Sequence, residues 1–105
     1  MRKTLAIATG ITVLLGAASA RAQDANELWT KNCASCHGPD LKGETKAGKA
    51  VKVKDLTAQK LDKAAVVTAI KNGIKRDEKQ VMKPYGEKLS EAEINALADK
   101  VVSGK

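Results

Sequence analysis

The 105-residue sequence contains no phenylalanine, one tryptophan (Trp29) and one tyrosine (Tyr85). The large side chains that ordinarily fill a small core are almost missing. Histidine occurs once, at His37, and cysteine twice, at Cys33 and Cys36. No alternating strand pattern, internal repeat or domain linker is visible, and no apolar run is long enough to span a bilayer comfortably. What is present is 43% hydrophobic and 30% charged residues in a mixed pattern, which excludes a disordered chain. The length allows one small domain, and a domain this small with so few aromatics buries little surface. Such domains commonly recruit a metal, disulfides or a cofactor as a staple.

The N-terminus shortens the folded part further. Met1-Arg2-Lys3-Thr4 is a basic start, Leu5 to Leu15 is apolar apart from two Thr and one Gly, and small residues follow from Gly16 to Ala22. This is the layout of a secretory signal peptide. Cleavage after Ala20 or after Ala22 fits the small-x-small rule. The second is preferred, giving a signal over residues 1–22 and a mature domain over 23–105 with no stable membrane insertion. The expected location is the bacterial periplasm.

The formal charge of +7 falls with processing, because Arg2, Lys3 and Arg21 leave with the signal. Sixteen of the 19 basic residues are dispersed lysines without flanking aromatics, a pattern that does not suit nucleic acid. A Lys-rich surface suits steering toward an acidic protein partner, or simply solvation.

Periodicity predicts three helices. The first runs from about Asp24, as N-cap, to Asn32, with Ala25, Leu28 and Trp29 on one face. The second runs from about Leu61 to Asn72, with Leu61, Ala65, Val66, Ala69 and Ile70 on a stripe and Gly73 as C-cap. The third opens on the capping box Ser90/Glu93 and repeats Ile94, Leu97, Ala98 and Val101. Gly38–Leu56 and Gly73–Leu89 are predicted as long connections. Loops of that length in so small a domain must wrap something.

Cys33-Ala34-Ser35-Cys36-His37 supplies the answer. C-x-x-C-H is the attachment signature of c-type haem: two thiols so spaced add to two vinyl groups, and the adjacent imidazole reaches the iron. Zinc would need a fourth ligand that the chain lacks, and a redox C-x-x-C belongs beside a βαβ unit. A plain disulfide here closes too small a ring to restrain the chain. Cys33 and Cys36 are therefore the expected covalent haem residues and His37 an axial iron ligand. The second axial donor is expected to be Met82, the only methionine besides Met1. It lies in Val81-Met82-Lys83-Pro84-Tyr85-Gly86, off any helical stripe, and His/Met ligation suits electron-carrying haems. Lys79, Lys83 and Lys88 are the substitutes. No base, nucleophile or open metal site suggests an enzyme.

From Asp24 to Val102 the chain resembles the class I c-type cytochromes, particularly the small soluble monohaem members of bacterial periplasms. The resemblance rests on Trp29 four residues before Cys33, on Cys33-x-x-Cys36-His37-Gly38, and on Met82, Pro84, Tyr85, Gly86, Leu89 and Ser90. It implies an all-α fold of three or more helices wrapped around one covalent haem c, with first and last helices crossing. It also implies a monomeric one-electron carrier whose pocket is lined by Leu28, Trp29, Leu56, Val66, Ile70 and Leu97. Its partners would be redox proteins such as a cytochrome bc complex, a terminal oxidase, a reductase or a dehydrogenase. Three departures stand out. Ala25 replaces a Gly at the helix crossing, Lys100 replaces an aromatic there, and Gly48-Lys49-Ala50-Val51 lacks the usual Pro. In that last segment the family pattern makes the Lys49 carbonyl the candidate acceptor for the proximal imidazole. The alternative functions are a gas-binding haem subunit or sensor domain of a periplasmic dehydrogenase or peroxidase system, and an interaction module built on a C-x-x-C disulfide.

Overall fold

The capping box at Ser90 forms as expected: Ser90 Oγ accepts from the Glu93 amide at 3.1 Å, and Glu93 Oε1 accepts from the Ser90 amide at 2.8 Å. In the computed structural model, which describes residues 24–105, this box opens the longest helix, Glu91–Ser103. The chain order is α1 (Ala25–Asn32), α2 (Ala34–His37), α3 (Lys46–Ala50), a 3₁₀ turn (Leu56–Ala58), α4 (Lys63–Asn72), β1 (Ile74–Arg76), β2 (Lys79–Met82) and α5 (Glu91–Ser103). The described part is small and mostly helical, with one two-stranded antiparallel hairpin. The expected signal segment lies outside the described residues. Among the described residues, no helix is long and apolar enough to cross a membrane.

Helix α5 organises the rest. Among the described residues, four of the seven buried hydrophobic ones, Ile94, Leu97, Ala98 and Val101, are on it. They meet Trp29 from α1, Leu41 from the loop after α2 and Ile70 from α4. Two exposed ion pairs, Lys63–Asp99 at 2.9 Å and Lys71–Glu91 at 2.7 Å, join α4 to α5. Each contributes under about 1 kcal/mol, so burial decides the packing.

Several local readings change. Asp24 occupies the N-cap of α1, but its side chain makes no capping hydrogen bond; its carbonyl instead accepts from the Glu27 and Leu28 amides, both at 3.1 Å. Helix α4 starts at Lys63 rather than Leu61, because the Asp62 carboxylate accepts from the Ala65 amide and sets the boundary. Ala65 is exposed. The connection Gly38–Leu56 contains α3, whose cap is Thr45. The connection Gly73–Leu89 contains an antiparallel hairpin closed by Asp77-Glu78, both with positive φ (54° and 65°). That sign pattern belongs to a type I′ turn. Met82 therefore ends a strand, not an irregular loop.

The helix crossing is filled differently from the family pattern. Lys100 Nζ lies 5.8 Å from the Trp29 ring centroid and donates to Asn26 Oδ1 at 2.8 Å and to the Lys105 carbonyl at 2.6 Å. A cation over an indole thus stands where an aromatic was expected.

Candidate haem-binding site

The Cys33–His37 segment is held from both sides. Helix α1 ends at Asn32, and α2 follows immediately with the Cys33 carbonyl accepting from the His37 amide at 2.9 Å. Trp29 Nε1 donates to the Gly38 carbonyl at 2.8 Å, and its ring lies 5.6 Å from the His37 ring. Gly38 carries the chain out of α2 at φ 84°. On the other flank, Thr45 Oγ1 donates to the Cys36 carbonyl at 2.9 Å and accepts from the Gly48 amide at 2.8 Å. A Cβ on Gly48 would collide with the Cys36 carbonyl, so only glycine lets α3 approach this closely.

Cys33 and Cys36 are free thiols, both half-buried. Burial pushes the Cys33 thiol up to about 11. Burial also lowers the pKa of His37, which favours the neutral imidazole. A metal-ligating histidine must be in that form. The His37 Nδ1 atom is buried without a hydrogen-bond partner. The Lys49 carbonyl, the candidate acceptor for that imidazole, accepts from the Lys52 amide at 3.2 Å in the last turn of α3.

Met82 reaches the same core from β2, as one of the partly buried residues packed on it together with Cys33, Leu28, Leu56 and Val66. Trp29, Ile70 and Leu97, also expected to line the pocket, are buried. The two ends of the site are tied by Tyr85. Its hydroxyl donates to the Asn32 carbonyl at 3.0 Å, one residue before Cys33, and its amide donates to Ile70 at 2.8 Å. Burial first, then the proximity of Cys33 and Cys36, raises the Tyr85 pKa, so the phenol remains a donor. Lys88 lies 5.7 Å from the same ring centroid.

These residues fit a covalently held haem. Two unpaired thiols and an orphaned imidazole nitrogen sit beside apolar side chains that the protein itself covers only partly. A buried polar atom without a partner calls for a ligand or bridging group. Among the described residues no group of three His, Cys, Asp or Glu side chains suits a bare metal ion.

Sequence reasoning missed Leu41, which is 1% exposed at φ 65°. A lone Leu in a Gly/Lys-rich loop carries no periodic signal. It also passed over the Thr45 cap, which a Thr three residues before Gly48 could have signalled.

The family model described as "Cytochrome C oxidase, cbb3-type, subunit III" matches residues 20–99. No curated protein matches the chain. A solved structure titled "KustC0563 c-type cytochrome" is 26% identical with a TM-score of 0.67, over 79% of this chain and 99% of that one. A tyrosine-to-phenylalanine mutant of that protein is 27% identical with a TM-score of 0.65, over 79% of this chain and all of its own. This chain thus belongs to the family of the matching model and is a class I c-type cytochrome, whose cofactor is covalently bound haem c.

Proposed function

We propose that the protein is a non-enzymatic one-electron carrier, exported to the periplasm and cleaved after residue 22, that passes electrons between redox proteins as a monomer. The observation that carries the reading is the pair of free thiols beside the buried, unpartnered Nδ1 of His37. Cys33 and Cys36 would hold the cofactor through thioethers, and His37 and Met82 would ligate its iron. Bound there, haem supplies a reversible one-electron couple. Trp29 fixes the His37 segment through the Gly38 carbonyl, and Tyr85 keeps the Met82 segment against Asn32. The soft Met82 sulfur favours ferrous iron and raises the potential. The basic start and apolar run before residue 23 support export. The dispersed lysines favour an acidic partner, such as a cytochrome bc complex, oxidase, reductase or dehydrogenase.

Met82→Ala tests the ligand assignment. Haem should stay attached, the potential should fall, and the near-infrared band of sulfur bound to ferric iron should vanish. A wild-type protein without that band, binding carbon monoxide as readily as the mutant, would overturn Met82 as ligand and favour a gas-binding subunit.

A further inference from the structure

The hairpin carrying Met82 is irregular at the end nearest that residue. Ile74 pairs with Met82, but the next residue, Lys75, pairs with Gln80, leaving Val81 as an extra residue on β2. A bulge of this kind bends the strand and re-aims the side chains beyond it. The alternation breaks accordingly: Lys79 and Gln80 are exposed, whereas Val81 and Met82 are both partly buried.

A bulge also interrupts the ladder. Gln80 repairs it, its side-chain amide donating to the Met82 carbonyl at 2.9 Å and to the Ile74 carbonyl at 3.3 Å. Gly73 makes room for this arrangement. A Cβ there would lie 2.6 Å from Gln80 Nε2 and would collide with the Met82 carbonyl, at a φ of 74° that already favours glycine. A surface side chain before the bulge is thus bonded to the backbone of both strands just beyond it, at the pair that holds Met82.

We propose that Gln80 is a positioning residue for the sixth iron ligand, its amide clamping the bulge so that the Met82 thioether is presented to the haem iron. The inference rests on the reading of Met82 as that ligand. Gln80 bonds to the carbonyls of Met82 and Ile74, not to the thioether, and acts through that backbone. Without the clamp the bulge can relax, and the thioether competes less well for iron.

The test uses the haem-loaded protein and compares wild type, Met82→Ala, Gln80→Glu and Gln80→Leu. Glutamate keeps the shape but offers no donor when ionised, and leucine removes all polarity. Carbon monoxide affinity of the ferrous form and the near-infrared sulfur band of the ferric form are read alongside the thermal midpoint. With two modest hydrogen bonds lost, carbon monoxide should bind about tenfold more tightly in both Gln80 variants, and the sulfur band should weaken. A rise below about threefold in both variants, with the band intact, overturns the positioning role even if the thermal midpoint falls. If wild type itself lacks the band and matches Met82→Ala, the ligand assignment fails, and the role of Gln80 with it.

Discussion

The hydrogen bond from Tyr85 to the Asn32 carbonyl makes Tyr85→Phe an informative substitution. Phenylalanine keeps the ring, its packing on the core and the face that Lys88 covers, and it removes only the hydroxyl. The lost bond is 3.0 Å long, half-buried, and spans 53 residues of sequence. A neutral hydrogen bond of this kind contributes about 1 kcal/mol net. The bond is only part-buried, so the larger penalty of a fully orphaned acceptor does not apply. In a domain of this size about 1 kcal/mol corresponds to a fall of about 4–8 °C in Tm. The assay is thermal unfolding of the haem-loaded protein by far-ultraviolet circular dichroism at neutral pH. Because burial raises the phenol pKa, the wild-type hydroxyl is protonated there and its bond is intact. A Tm within about 1 °C of wild type would refute the reasoning and reduce the tether to a surface contact.

Replacing Cys33 and Cys36 together by Ser removes covalent attachment from a domain whose described part buries seven hydrophobic residues. The expected product melts without a cooperative transition, and a helical apoprotein with a sharp wild-type melt would contradict this. The Asp77-Glu78 turn offers a change of opposite sign. Both residues hold positive φ, which costs a β-carbon-bearing residue about 1–2 kcal/mol, so Asp77→Asn with Glu78→Gly should raise Tm by several degrees. A lower Tm in that variant would show that the turn residues are held by something other than their backbone preference.

How much was legible depended on whether a residue's partner lay nearby in sequence. Ser90 and Glu93 are three apart, and both bonds form as read. The C-x-x-C-H spacing is likewise local, and the family match agrees with the covalent haem it implied. The hairpin escaped because alternation appears only when one face of a sheet is buried, and residues 74–80 are exposed throughout. Leu41 escaped because one buried residue in an irregular loop has no period. Lys100 departs from the family's aromatic at the helix crossing, and its ammonium lies over the Trp29 ring, a contact that charge alone does not announce. The acceptor for the His37 imidazole is not legible from the family pattern, because the Lys49 carbonyl lies in a short helical turn and accepts from Lys52.

Trp29 is bonded to Gly38, packed against His37 and covered by Lys100. Being the chain's sole indole, it is also a built-in optical gauge. A fluorophore so close to the haem-bearing segment transfers its excitation to the chromophore and stays dark while the fold is closed. Emission then reports one distance, between the first helix and the porphyrin, without any label. Partial opening of the domain, too slight to change helix content, would appear as light.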